Sequence, residues 1–546
     1  MNFVDYRDLE ASDGAFTRLF VDYIGDYQKV RQFYGGNPQD ENDWRHLLKQ
    51  VSDRVIDRSR LTQILSRQNR DLHCGVKSLA NIDLLRDDNC VVVVTGQQVG
   101  LFTGPMYTIY KAITAIKLSE KLANEYPDYS FVPIFWLAGE DHDFEEVSSV
   151  SFFNAAGELV KADYKPEHKQ EGLNQGAVGE IVFDESIEQL FKFVEDSLLP
   201  TEFKPKVLDL FKTAYQKGMT FNKAFVHLMN VLLEDSGLIF LDSNDAEIKR
   251  LLLPVFQREL AETPRSCQLV IDQSAILERQ YHAQVKPRSI NLFLFHEKGR
   301  YPIEPHPDGY FLKGTRQHFS KSELTKMLNQ SPELFSPNVV LRPICQDTLL
   351  PTVAYVAGPA ELAYFGQYGT LYKEFGIPQP IIYPRASATI VEERVEKVLD
   401  RFSLDAITLF GNLEFVKQQI AEQISDFKAD GFFSSAAHAI DESLNELKTA
   451  LQSIDPTLLP AFENTLGKIH THLDVLKEKT IAAQKRQHEV SLRQIDKAAS
   501  SLFPDSDFQE RQLNVLYFLN KYGPEFVRWI FSELQIDKMK HQLLKI

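Results

Sequence analysis

The sequence predicts an α/β protein: a doubly wound parallel sheet with connecting insertions and a long antiparallel α-helical coiled-coil arm. Three observations predict it. Val91-Val92-Val93-Val94 is a β-branched run without alternation, as expected of a central strand covered on both faces. Met106, Ile109, Ile113, Ile116 and Leu118 form a helical apolar stripe, and Phe131 to Leu137 then read as a second strand, so the order implies a right-handed parallel crossover. Far downstream, apolar residues recur at steps of three and four over glycine-poor sequence.

Each element follows in order. Trp44 to Leu65 carries helical spacing through Leu47, Leu48, Val51, Val55, Ile56, Ile64 and Leu65. The first strand ends at Thr95-Gly96, and Pro105 suits the first turn of a helix running to about Asn124. Further strands are expected at Leu238–Leu241, Val339–Leu341 and Ile381–Tyr383. Insertions are placed at about 150–235, with short strands and Gly172, Gly176 and Gly179, and at about 255–335, where SINLFLFHEKGRYPI and GYFLKG read as β-hairpins. Residues 1–403 thus form a discontinuous core. Residues 404–503 form the arm: Ala437, Ile440, Leu444, Leu447, Leu451 and Ile454 face a second series from Leu459 through Phe462, Leu466, Ile469, Leu473 and Leu476. The two helices join near Asp455-Pro456, and one from 457 to 498 would span roughly 60 Å. The aromatic segment 504–546 is expected to return to the core.

Composition narrows the partners. Asp plus Glu number 76 against 60 Lys plus Arg, a net charge of −16, which opposes phosphate attraction and argues against nucleic acid. The N-terminus lacks a basic-then-apolar leader, and no stretch approaches ~18 consecutive apolar residues, so a cytoplasmic protein with no membrane partner is expected. Cys74, Cys90, Cys267 and Cys345 lie far apart, which suggests neither disulfides nor a zinc knuckle.

The segment TGQQVGLFTGPMYTIYK, residues 95–111, carries a strand through a glycine-bearing loop into a helix, the geometry of an anion or nucleotide pocket. It matches neither G-x-G-x-x-G nor the P-loop pattern. Thr95, Gly96 and Gly104 shape the loop. Gln97 and Gln98 can recognise a base or an amino acid, and Tyr107 and Lys111, four apart, share one helix face. After the second strand, Trp136 precedes the acidic cluster Glu140, Asp141, His142, Asp143, Glu145 and Glu146, whose charges call for a metal, a cationic substrate group or solvent to offset them. Solvent is the expectation for Glu145 and Glu146. His142 is a candidate base or phosphate ligand, and its neighbouring carboxylates can hold an amino group or magnesium. No second His or Cys stands at zinc spacing. Arg342 and Arg385 each suit either a phosphate or carboxylate clamp or a structural ion pair, and Glu361, Tyr364 and Ser387 lie in similarly placed segments.

These residues carry a family resemblance. VVTGQQVGLFTGPMYTIYKAITAIKL, VPIFWLAGEDHDFEEV, LRPICQDTLLPTVAYVAGPAELAYFGQ, PRASATIVE and YFLNKYGPEF resemble the cysteine ligases of bacillithiol synthesis over nearly the whole chain. The resemblance implies a Rossmann-like core, an enzyme that adds L-cysteine to the amino group of glucosaminyl-malate with ATP, and a homodimer formed through the arm. That family in turn resembles class I aminoacyl-tRNA synthetases and the cysteine ligase of mycothiol synthesis. Here Leu101-Phe102-Thr103-Gly104-Pro105 stands where those enzymes carry H-I-G-H, PRASATI stands where a K-M-S-K-S loop would be, and the cysteine-gripping zinc set of the mycothiol ligase has no counterpart.

On this reading His142, Asp141, Asp143 and Arg385 are the catalytic candidates. Thr95, Gly96, Gln97, Gln98, Gly104, Tyr107 and Lys111 hold ATP or ADP, the glutamines acting as donors and magnesium being a possible companion. Trp136, Glu140, Arg342, Glu361, Tyr364 and Ser387 hold substrate. A non-catalytic nucleotide-binding scaffold acting through the coiled coil, and a metal-dependent hydrolase, are the alternatives.

Overall fold

The computed structural model describes residues 2–9, 16–167, 174, 176–423, 429–487 and 489–546. Two compact units emerge: Met1–Thr389 with Asp507–Leu544, and Ile390–Ser506 with Lys545–Ile546.

The first unit is built on five parallel strands: β1 (Cys90–Gln97), β2 (Ser130–Leu137), β3 (Ile239–Asp242), β4 (Thr352–Ala357) and β5 (Ile381–Pro384). Their order across the sheet is β5-β4-β1-β2-β3. Val91 to Val94 are fully buried, as their unalternating pattern predicted. Helix α1 (Tyr107–Glu125) returns the chain from β1 to β2, burying Ile109, Ile113, Ile116 and Leu118. The expected strands near 91, 131, 238 and 381 are present. Val339–Leu341 is not a strand. The Asn338 side chain accepts hydrogen bonds from the Val340 and Leu341 amides at 2.9 and 3.1 Å, turning the chain into helix α2 (Arg342–Leu349), and the fourth strand comes ten residues later. A short apolar run has no period by which to tell a strand from the approach to a helix.

The hairpins expected near 289–315 form a five-stranded antiparallel sheet with Phe335–Pro337 at one edge. The region after β2 holds the hairpin Ser149–Phe153 with Leu159–Asp163; Gly172 lies outside the described residues. The C-terminal segment belongs to this unit, where His541–Leu543 pairs antiparallel with Asn2–Val4.

The second unit is helical. Ala429–Ile454 and Leu459–Gln487 form an antiparallel pair joined through Asp455-Pro456, with Glu489–Leu502 following and His488 outside the described residues. Cross-helix bonds from Asp441 to His470 (2.9 Å) and from Lys448 to Glu463 (2.5 Å) fix the register. The seam departs from the expected one after Leu444. Its next step is four residues, so the Lys448 stem turns inward while Leu447 and Leu476 are half exposed.

Candidate functional site

In the chain-order sense the sheet runs 3-2-1-4-5, and the order reverses between β1 and β4. Connections leave these neighbouring strands toward opposite faces, so their carboxyl ends part and leave a crevice where open α/β sheets bind ligands. A cavity of about 500 Å³ lies there. Its wall takes Gly96, Gln97 and Gln98 from the end of β1, Tyr107 and Lys111 from α1, Trp136 and Ala138 from the end of β2, and Arg342 from α2. Tyr355 on β4, Gly358, and Glu361 and Tyr364 on helix α3 (Pro359–Phe365) add to it, with Arg385 beyond β5 and Arg511 from the C-terminal segment.

Lys111 is not a solvated helix residue. It is only 2% exposed, and its ammonium sits 2.5 Å from Glu361 Oε2 while donating to the Gly96 carbonyl (2.8 Å) and Gln97 Oε1 (3.0 Å). Glu361 also accepts from the Tyr355 hydroxyl and the Gly358 amide, both at 2.7 Å. Burial alone would raise this carboxyl; the Lys111 charge and the donors outweigh it and hold it below the usual carboxylate range. The pair is therefore internally satisfied and leaves no net charge for a ligand.

The two arginines differ. Arg385 is buried against Glu510 at 2.5 Å, donates to the Ala386 carbonyl (3.1 Å) and lies over the Tyr107 ring. Glu510 further accepts from the Ser387 hydroxyl (2.9 Å) and the Ala388 amide (2.9 Å). His541 is bonded to Ser387 at 2.8 Å and Thr389 at 2.9 Å, and burial pushes its pKa down to about 4. Ser387 is thus a buried structural hydroxyl. Arg342 instead donates to neutral groups, Gln346 Oε1 at 2.9 Å and the Tyr364 hydroxyl at 3.3 Å, and stacks over Tyr355. It has no carboxylate partner among the described residues, so its charge is available to an anion.

The acidic turn after β2 lies beside the cavity, and only Glu146 of its charged residues lines it. Glu140 is buried against Lys249, which is fully buried. Asp141 accepts from Gln98 Nε2 (2.7 Å), the His142 amide (2.8 Å) and Arg300 Nη1 (3.2 Å). Burial would raise its pKa, but the His142 bonds and the Arg300 charge hold it well below the usual range. Arg300 lies 3.9 Å over the Phe293 ring and 3.3 Å from His142 Nδ1. Asp143 is exposed and caps the short helix Phe144–Val147, accepting from the Glu146 amide at 3.2 Å. Among the described residues, no three His, Cys, Asp or Glu side chains converge as a cation site.

The glycine loop is less open than its sequence suggests. The amides of Gly100, Thr103, Gly104 and Met106 bond to the Gln98 carbonyl, the Tyr215 hydroxyl, the Leu101 carbonyl and the Leu513 carbonyl. Gly104 adopts φ +71°, which favours glycine, and lies away from the cavity wall. Thr95 is buried, its hydroxyl donating to the Val356 carbonyl across to β4. The Gln98 amide nitrogen is held by Asp141, and its buried Oε1 has no partner. An ionised carboxylate only accepts, so this orientation is forced: the Gln98 donors face the carboxylates of Asp141 and Glu146 and are not free for a nucleotide as expected from sequence, while Oε1 is left as an acceptor. Trp136, 1% exposed, likewise lacks a partner for its indole N–H.

Sequence reasoning missed Lys249, Arg300, Glu510 and Arg511; Glu145 and Glu146 are exposed as expected, and Glu146 also borders the cavity. Lys249 and Arg300 reach the acidic turn from more than a hundred residues away, and no local spacing signals that approach. An unpaired excess of carboxylates in GEDHDFEE was the one available hint that cations must come from elsewhere.

Comparison with known proteins bears on the same residues. The model for "Bacillithiol biosynthesis BshC, N-terminal Rossmann-like domain" matches residues 4–386, and that for the "C-terminal coiled-coil domain" of the same family matches 388–546. The chain is 40% identical to a protein of Salinibacter ruber named "Putative cysteine ligase BshC", over 99% of this chain and 98% of that one. Identically named proteins of Chlorobaculum tepidum and Flavobacterium johnsoniae are 36% and 30% identical, over 97% and 98% of each chain. With both family domains matched along the chain, one a Rossmann-like sheet unit and the other a coiled-coil unit, the chain belongs to the BshC family of bacillithiol biosynthesis.

Proposed function

We propose that the protein is an ATP-dependent ligase that joins the carboxyl group of L-cysteine to the amino group of glucosaminyl-malate, forming an amide. The observation that carries this reading is the cavity at the strand-order reversal of a chain whose relatives are named cysteine ligases: among the described residues, it places Arg342, without a carboxylate partner, and Glu146, without a cationic partner, on the same wall. Carboxylates do not acylate amines unaided, so ATP would be consumed to convert cysteine to an adenylate or acyl phosphate. Arg342 would hold an anionic group of substrate or nucleotide, and Trp136 would donate to a ligand oxygen. Tyr107, Tyr364 and the Lys111–Glu361 pair would shape the wall, and Arg385 would support Tyr107 from behind. Asp141 and His142, anchored by Arg300, would orient Gln98.

Among the described residues no helix is long and apolar enough to cross a membrane, which fits a cytoplasmic biosynthetic role. The half-exposed Leu447 and Leu476 and the exposed Phe432 and Ile454 support homodimerisation through the coiled coil. The test is product formation from L-cysteine, ATP and glucosaminyl-malate, followed by mass spectrometry. An amide product with stoichiometric ATP consumption is expected; well-folded protein yielding none across several divalent metals and reducing conditions would refute the activity. Pyrophosphate exchange into ATP would identify an adenylate.

A further inference from the structure

The polar groups of the cavity wall can be divided into those already matched within the protein and those left for a ligand. Lys111 and Glu361 satisfy each other, Arg385 is matched by Glu510, and Asp141 by Arg300. Glu146 stands apart. Its side chain is exposed and lines the cavity; the carboxylate faces the Gln98 amide group and pairs with no Lys, Arg or His among the described residues, and Gln98 Oε1, itself without a donor, is on the same wall. The nearby charges of Asp143 and Asp141 reinforce a negative potential at this end. Partial desolvation and these like charges raise the Glu146 carboxyl against the opposing effect of the Gln98 amide, which favours a positive charge or a proton beside it. That a ligand belongs in the cavity is indicated independently by Trp136, almost wholly buried on the wall with its indole N–H unmatched.

We propose that Glu146, assisted by Gln98 Oε1, is the primary-ammonium subsite of this cavity. A primary ammonium brings three donors and one positive charge, which together match one carboxylate lacking a cationic partner and one orphan amide oxygen. The inference rests on the ligase reading for its choice of ligands. Two of them carry such a group, the α-amino group of L-cysteine and the sugar amine of the acceptor.

The experiment measures binding to the full-length protein, by Trp fluorescence or ligand-observed NMR, without ATP and under reducing conditions. The probes are L-cysteine and D-glucosamine, each beside a partner lacking the ammonium: 3-mercaptopropionate and N-acetylglucosamine. E146Q, which keeps the shape and removes the charge, is expected to weaken one of the two amines by about 10- to 100-fold, the loss typical of a charge-assisted hydrogen bond, while leaving the amine-free partners unchanged. The amine that weakens identifies the source. E146D, retaining charge on a shorter stem, should fall between E146Q and wild type. Wild-type affinity of folded E146Q for both amines would overturn the proposal. So would equal weakening of amine-bearing and amine-free probes, which would indicate a general change of shape. If E146Q also turns over with unchanged KM for both substrates, the subsite is refuted and the ligase reading stands; if the subsite binds amines but no amide ever forms, the reverse holds.

Discussion

Replacing Lys111 with methionine removes the cation of the Lys111–Glu361 pair while keeping the length of its stem. The Glu361 carboxylate would then keep only the Tyr355 hydroxyl and the Gly358 amide as donors, still buried in the wall between α1 and α3. Breaking one side of such a buried pair costs about 3–5 kcal/mol, against at most about 1 for an exposed pair. E361Q should cost a similar amount, since it leaves the ammonium with only the Gly96 carbonyl and Gln97 Oε1. The double variant K111M/E361Q removes both charges, so its loss should fall short of the sum of the two singles by about 2 kcal/mol or more. Guanidinium unfolding followed by tryptophan fluorescence suits the measurement, because Trp44, Trp136 and Trp529 all lie in the sheet-bearing unit and the arm has none. Single losses below about 1 kcal/mol, or additivity within about 0.5, would refute the view of this pair as a buried and mutually dependent part of the cavity wall.

Other expectations concern the sheet's carboxyl edge. Burial pushes the Asp242 carboxyl from its ordinary 3.8 up to about 6, so the folded protein binds this proton more tightly than the unfolded chain does. Its stabilising effect is full below the unfolded value and lost as pH rises through about 6, a difference of about 3 kcal/mol at 1.36 per pKa unit. D242N should therefore gain stability relative to wild type at pH 8 and not at pH 4.5. An identical difference at the two pH values would exclude the shift. Gly96 faces Trp136 across the β1–β2 pair, and a Cβ there would come within 2.9 Å of the Trp136 carbonyl. G96A is expected to lower the unfolding free energy by about 1–3 kcal/mol, the usual cost of overpacking; an unchanged free energy would show that the strands part freely.

How much of this was legible in the sequence differs by element. Strands β1, β2, β3 and β5 and helix α1 are specified by local pattern, because runs of β-branched residues and a 3.6-residue stripe encode burial directly. The error at 339–341 arose where three apolar residues carry no period and a single asparagine side chain decides the turn. In the arm, the apolar positions predicted two helices, but which residues face the seam after Leu444 depends on how one helix lies on the other.

The candidate site divides the same way. Local pattern was enough to gather a loop after β1, an acidic turn after β2 and arginines from later segments at one sheet edge, because parallel strands deliver their carboxyl ends to a common side. Which of those charges remain for a ligand was set by long-range packing. Lys249, Arg300 and Glu510 arrive from distant segments to neutralise Glu140, Asp141 and Arg385, leaving Arg342 and Glu146 uncompensated on the wall. The physical reason is that a buried charge must be matched by whichever partner the fold brings within hydrogen-bonding distance, and that partner is set by the packing of elements, not by spacing along the chain.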